Sequence, residues 1–127
     1  MSAETAVRTT TEVANRLVEH CRVGQFVDAI NELYADDVKS HEMPGAQAPE
    51  LTEGKEGVLA KNHQWAQGVQ EVHRSEVSDP LVAGDHFTVR FDMDITFKDG
   101  NRIPMVETGV YQVNNGHVVR EQFFYSV

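Results

Sequence analysis

The stretch that decides the fold is residues 81–127, LVAGDHFTVRFDMDITFKDGNRIPMVETGVYQVNNGHVVREQFFYSV. Three tight-turn signals, Gly84-Asp85, Asp99-Gly100 and Asn115-Gly116, separate its apolar-rich runs. Gly, Asn and Asp tolerate the positive φ angles that short hairpins require. The stretch therefore predicts a meander of long antiparallel strands.

The clearest strand signal lies between the first two turns. There Phe87, Val89, Phe91, Met93, Ile95 and Phe97 alternate with His86, Thr88, Arg90, Asp92, Asp94 and Thr96. Alternation at every second residue indicates a strand with one buried face. Residues 72–82 are predicted to open the same sheet. An antiparallel sheet of this size buries one face, so another layer must cover it.

Three helices in the N-terminal half are predicted to provide that cover. The first spans residues 11–22 and ends before Gly24, the second spans residues 26–34, and the third spans residues 55–67. Each has apolar residues at helical spacing along one side. Residues 38–42 are predicted as a short strand and residues 43–54, which are rich in Pro and Gly, as a loop.

This element order predicts an α+β fold, in which a strongly bent antiparallel sheet is wrapped by three helices around a cavity. Residues 1–10 are polar and expected to be flexible, whereas residues 11–127 form a single domain.

Composition excludes several classes of function. The net charge of −9, with scattered Lys and Arg, weighs against nucleic-acid binding. No apolar run approaches the roughly 20 residues of a membrane span. A single cysteine, Cys21, and an N-terminus without an apolar leader favour a cytoplasmic protein.

Four short strings resemble the SnoaL-like branch of the nuclear-transport-factor-2-like superfamily. They are residues 33–38 (LYADDV), 53–57 (EGKEG), 114–119 (NNGHVV) and 120–125 (REQFFY), in that order. The branch includes polyketide cyclases and is related to ketosteroid isomerases. The resemblance implies a cone-shaped α+β fold and a homodimer formed through the outer face of the sheet. That face is expected to carry Arg90, Asp92, Asp94, Val106, Thr108 and Val110.

Glu42 is the first candidate catalytic residue. Counted from the LYADD string, it falls where the ketosteroid isomerases place their general base. A carboxylate that faces an apolar pocket has a raised pKa, which suits proton abstraction near neutral pH. The isomerases have Asp followed directly by Pro, whereas this chain has Glu42-Met43-Pro44. The alternative is a carboxylate at the strand end that faces solvent.

Glu107 and Glu121 are each expected among apolar neighbours on one face of a strand. Such a carboxylate is costly unless it is paired or functional. The isomerases carry a protonated Asp as an oxyanion donor at or near the position of Gly109, and Glu107 is one pleat away. The alternative is that one of the two glutamates is structural, bonded to an arginine or a tyrosine.

The remaining candidates are aromatic residues and one histidine. His63 could carry a proton, and Trp65 could form an apolar wall on the third helix. Tyr111 and Tyr125 could donate phenolic hydrogen bonds. Glu121, Phe123 and Tyr125 share a face of one strand, next to Tyr111. We therefore expect Trp65, Tyr111, Glu121, Phe123 and Tyr125 to bind a small apolar ligand.

A metal site is conceivable from His41, Glu42, His63 and His73. No His-Glu-x-x-His spacing or comparable motif requires one, so neither a metal nor another cofactor is predicted.

Two hypotheses of function follow. The first is a cofactor-free proton-transfer enzyme, of the isomerase or cyclase kind, that acts on an apolar carbonyl compound. Glu42 would be its base, and His63, Glu107 or Tyr125 would supply the acid or the oxyanion donor. The second is a non-catalytic protein that binds a small apolar ligand. Convergence of Glu42 and a second polar donor on one point would favour the enzyme.

Overall fold

The computed structural model describes residues 6–126, which form three helices and seven strands. In chain order these are α1 (Thr10–Arg22), α2 (Phe26–Leu33), β1 (Tyr34–His41), β2 (Leu51–Glu53), α3 (Lys55–Gly68), β3 (Val69–Val77), β4 (Leu81–Ala83), β5 (His86–Phe97), β6 (Arg102–Asn114) and β7 (His117–Phe124). The predicted α+β fold class is confirmed. Of the predicted flexible N-terminus, residues 1–5 lie outside the described residues.

The strands form one sheet in the order β2-β1-β7-β6-β5-β3, with β4 also paired to β5. The pairs β3·β5, β5·β6 and β6·β7 are antiparallel, as the turn signals predict. Strand β1 pairs with β7 in parallel, so the sheet is mixed rather than wholly antiparallel. No hairpin joins these two strands, so no local turn sets their relative direction.

Two predicted segments are divided in the structure. The strand expected over residues 72–82 consists of β3 and β4, which are separated by residues 78–80. The residue before β4 is Pro80, which has no N–H to donate to a ladder. The loop expected over residues 43–54 contains β2, which pairs antiparallel with β1.

The turn between β6 and β7 shows the chemistry on which the strand prediction rests. Asn115 has φ 51° and Gly116 has φ 77°. A two-residue hairpin of this kind requires a positive φ at both central residues, which Asn and Gly tolerate best.

The helices pack on the face of the sheet where the alternating apolar residues of β5 lie. Helix α1 begins with a capping box, in which Thr9 and Glu12 bond reciprocally to each other's backbone N–H. The core includes Val13, Leu17, Ile30, Leu33, Val38, Phe87, Val89 and Val118. No helix among the described residues is long and apolar enough to span a membrane.

Candidate active site

The candidate site lies where β1 and β7 end, beneath α3. The two strands pair in parallel with Ser40 opposite Glu121. Parallel neighbours end at the same edge of a sheet, so Glu42, directly after β1, comes close to Tyr125, directly after β7.

Glu42 faces into the molecule. Its Oε1 accepts a hydrogen bond of 2.6 Å from the Tyr125 hydroxyl, and its Oε2 accepts one of 2.8 Å from Lys61 Nζ. The Glu42 side chain is only 12% exposed. The alternative of a solvent-facing carboxylate is therefore wrong, and two polar donors, Tyr125 and Lys61, converge on Glu42.

Lys61, on α3, is the residue that the sequence reasoning missed. Its Nζ also donates a 2.7 Å hydrogen bond to Ser40 Oγ and lies 5.8 Å from the centroid of the Phe123 ring. Lys61 follows buried Val58 by three residues, and residues at that spacing share a helix face. This spacing is the signal that could have found it.

Ser40, Glu42, Lys61, Glu107, Glu121 and Tyr125 form a polar cluster. Glu121 is its buried carboxyl, with 2% of its surface exposed. It accepts a 2.6 Å hydrogen bond from Ser40 Oγ and another from the Tyr34 hydroxyl. Burial raises the pKa of Glu121, and the two hydrogen bonds oppose that rise. The tyrosine contact matches the alternative that one of the two strand glutamates is structural.

Glu107 differs from Glu121 because no residue in the described part of the chain hydrogen-bonds to it. Burial, followed by the charges of Glu42 and Glu121, raises its pKa to about 7, and Lys61 opposes the shift. Among the described residues no enclosed side-chain nitrogen or oxygen lacks a partner. The Glu107 carboxyl therefore reaches an accessible space, where it can exchange protons near neutral pH.

Tyr111 lies against Gly109, at or near which the resemblance to the isomerases implies an acidic oxyanion donor. Its ring stacks on Phe87 at 4.8 Å and meets Phe123 edge-on at 6.2 Å between centroids. The ring also folds back over Gly109, where an added Cβ would lie 2.8 Å from the Tyr111 hydroxyl. Only glycine at position 109 leaves room for this ring.

His63 and Trp65 do not join the cluster. His63 was expected at the inward rim of α3, but it is exposed because α3 turns Val58 and Lys61 toward the sheet. Trp65 meets Phe26 edge-on, with centroids 6.4 Å apart. It lines an open groove of about 750 Å³ together with, among others, Phe26, Asn62, Val69, Val72 and Met93. The expected single chamber is thus divided into a polar cluster and an apolar groove.

The conceivable metal ligands are also dispersed. His73 bonds to Thr96 Oγ1 on the sheet, at 2.7 Å. Within residues 6–126 no three His, Cys, Asp or Glu side chains form a group that could hold a metal ion.

The family follows from comparison with known proteins. A model of the SnoaL-like domain matches residues 8–125. The chain belongs to the SnoaL-like family. No curated protein sequence matches the chain significantly.

Solved structures agree with this membership. A candidate SnoaL-like polyketide cyclase from Mesorhizobium loti is 36% identical, with a TM-score of 0.85 over 93% of this chain and 100% of its own. A hypothetical protein with a ketosteroid isomerase-like fold from Catenulispora acidiphila is 18% identical, with a TM-score of 0.72 over 94% of this chain and 88% of its own. A candidate polyketide cyclase from Pseudomonas putida is 15% identical, with a TM-score of 0.71 over 94% and 93%. The last two show the fold alone.

Proposed function

We propose that this SnoaL-like protein is an enzyme that moves a proton on a small, mainly apolar carbonyl compound. The observation that carries the proposal is the Glu107 carboxyl, which has a pKa of about 7 and no hydrogen-bond partner in the described chain. A group that titrates near the working pH is the most effective general acid or base. Such a transfer needs only carboxyl groups, so no cofactor is invoked.

In this proposal Glu107 is the base, whereas the sequence-based hypothesis gave that role to Glu42. Both oxygens of Glu42 already accept hydrogen bonds, from Tyr125 and from Lys61. Glu107 is free to approach a ligand. In its ionised form it removes a proton from the carbon beside the carbonyl, and the electron pair of the C–H bond moves to the carbonyl oxygen. The protonated Glu107 then returns the proton to a carbon of the enolate.

The test is hydrogen exchange on small ketones and β-diketones in D₂O, followed by proton NMR. The wild type should accelerate exchange at the carbon beside the carbonyl. Glu107→Gln should lower the rate about 10²–10⁴-fold, which is the usual contribution of a general base. Glu53→Gln alters an exposed glutamate on β2 and should leave the rate unchanged. Equal exchange by wild type and Glu107→Gln would refute the assignment.

The apolar groove favours a second candidate function, the binding of a small apolar ligand without turnover. Trp65 is the only tryptophan and lines this groove, so its fluorescence reports on occupancy. If a small aromatic compound changes this fluorescence in the wild type, Met93→Ala, in the groove lining, should weaken the response. Val82→Ala, outside the lining, should not. Saturable binding with no hydrogen exchange on any compound would favour this function over catalysis.

A further inference from the structure

The ammonium group of Lys61 has one hydrogen-bond donor left over. A lysine carries three N–H donors. Ser40 Oγ and Glu42 Oε2 accept two of them, at 2.7 and 2.8 Å. Within the described residues no third acceptor lies within hydrogen-bond distance. Lys61 Nζ also lies over the Phe123 ring, 5.8 Å from its centroid, and at this distance the face of the ring attracts a cation only weakly.

A chain of hydrogen bonds through buried residues fixes the position of the Lys61 ammonium group. Ser40 is fully buried, and its hydroxyl accepts from Lys61 while it donates to Glu121. The Tyr34 hydroxyl holds Glu121 from the other side. A donor that is already oriented stabilises a developing charge without reorganisation during the reaction.

The donors that the resemblance to the isomerases implies are absent from the described cluster. Helix α1 contains no tyrosine, and position 109 is a glycine covered by the Tyr111 ring. Lys61 is also close enough to Glu107 and Glu121 for its charge to act on both. A carbonyl compound beside Glu107 therefore lies within the field of this one cation.

We propose that Lys61 is a catalytic residue whose free N–H binds the carbonyl oxygen of the substrate and stabilises the enolate. The inference rests on the proposed function and deepens it. When Glu107 removes the proton, the negative charge appears on the oxygen that Lys61 contacts, and Lys61 keeps its own proton. The enolate then collapses as Glu107 returns the proton to carbon.

The charge of the cluster restricts the substrate class to neutral carbonyl compounds. Three carboxyl groups, Glu42, Glu107 and Glu121, surround one lysine. A second anionic group on the substrate, away from Lys61, would face these carboxyl groups without a cation to compensate it. A neutral ketone acquires its charge only beside Lys61, where that charge is compensated.

Binding of para-nitrophenol tests the inference without requiring turnover. Its phenolate resembles an enolate in charge and shape, and its absorbance separates the ionised from the neutral form. The wild type should bind the phenolate at least tenfold more tightly than Lys61→Met, which is about 1.4 kcal/mol. Both proteins should bind para-nitroanisole, which cannot ionise, equally well. Lys55→Met removes a lysine at the start of the same helix and should behave as the wild type.

Two further variants keep the test decisive if Lys61→Met does not fold. Lys61→Arg retains the charge and should retain the preference for phenolate. Lys61→Gln retains N–H donors without the charge and should lose that preference. Phenolate binding that is the same in the wild type and in Lys61→Gln would overturn the inference, as would an equal loss in Lys55→Met.

The result is separable from that of the proposed function. If the wild type exchanges protons but the Lys61 variants bind phenolate as tightly as the wild type, this inference alone is overturned. A wild type that selects phenolate through Lys61 but exchanges no protons overturns the proposed function, and with it the catalytic role of Lys61.

Discussion

At the scale of single residues, the two strand glutamates show how surroundings separate identical side chains. Glu121 is held by Ser40 and Tyr34, which both donate to its oxygens. Glu107 is buried beside other negative charges and has no such donor, so its pKa rises to about 7. Two carboxyl groups in different environments can divide structural and proton-transferring roles between them.

The raised pKa of Glu107 predicts a pH-dependent stability. The folded pKa of about 7 lies above the ordinary value of 4.5, so the native state favours the protonated form. The stability from Glu107 is therefore full below about pH 4.5 and is lost as the pH rises through 7. A shift of this size corresponds to about 3 kcal/mol at most. Urea unfolding at several pH values should show Glu107→Gln gaining stability relative to the wild type across this range.

The control for this prediction is Glu53→Gln, which removes an exposed glutamate. Its stability relative to the wild type should stay flat over the same pH range. A difference between Glu107→Gln and wild type that does not change with pH would contradict the prediction.

Ser40 links the buried and the accessible parts of the cluster, so its removal should be costly. Ser40→Ala leaves Glu121 with one donor fewer and Lys61 with one acceptor fewer. Leaving buried polar groups unsatisfied costs about 1–3 kcal/mol. Urea unfolding near neutral pH should show this loss, whereas Ser75→Ala, at an exposed position, should cost less than 0.5 kcal/mol. Equal effects of the two changes would contradict the prediction.

The sequence predicts part of this site because strand periodicity is strict. Alternation places Glu107 and Tyr111 on one face of β6, and Glu121 and Phe123 on the matching face of β7, as the register shows. Lys61 was missed because α3 buries only Val58, so the spacing of Lys61 from Val58 is a weak signal of which helix face turns inward. The same weak pattern explains why His63 was expected inside.

At the scale of elements, the close contact between Gly109 and Tyr111 on β6 predicts an effect on stability. A Cβ at position 109 would lie 2.8 Å from two atoms of the Tyr111 side chain, so the ring must leave its stack on Phe87. Overpacking of this kind costs about 1–3 kcal/mol. Thermal unfolding of Gly109→Ala should show a clear fall in Tm.

Gly68→Ala is the matched control for this change. Its added Cβ would lie 3.8 Å from Phe97 Cδ1, which is an ordinary contact, and the residue is helical. Alanine is the better helix former by up to about 1 kcal/mol, so Tm should stay the same or rise. A Gly109→Ala protein as stable as Gly68→Ala would show that the ring has room to move.

The elements themselves differ in how well local sequence determines them. The hairpins were predictable because each turn, such as Asn115-Gly116, lies between the two strands that it joins. The pairing of β1 with β7 was not, because its partners are far apart in sequence and no turn residue connects them. The cluster that includes Glu42 and Tyr125 depends on this pairing, so its geometry requires the structure.

At the scale of the whole molecule, the outer face of the sheet is suited to self-association. Arg74 pairs with Asp92, and Arg102 pairs with Asp94, each at 2.8 Å. The same face leaves Val106 exposed at 43%. Charged pairs that surround apolar side chains are typical of interfaces. We expect a homodimer through this face, with twice the chain mass of 14.2 kDa in light scattering.

Val106→Glu tests whether the expected homodimer forms through this face of the sheet. A buried, unpaired carboxylate at an interface is costly, so the variant should become monomeric at micromolar concentration. Val27→Glu changes a valine of similar exposure, 46%, on α2 and should remain dimeric. A wild type of single-chain mass, or dissociation by Val27→Glu alone, would contradict the prediction.

The parallel pairing of β1 with β7 has a kinetic consequence. Two hydrogen bonds of the cluster join residues 81 and 87 positions apart, from Ser40 to Glu121 and from Tyr34 to Glu121. Closing so long a loop consumes chain entropy before any contact compensates it, whereas the hairpins close cheaply. During refolding, amide protection should therefore appear in β5 and β6 before it appears in β1. A molecule that has formed only its hairpins does not yet contain the polar cluster. The carboxyl groups of the cluster become buried only when β1 pairs with β7, in the final, slow step.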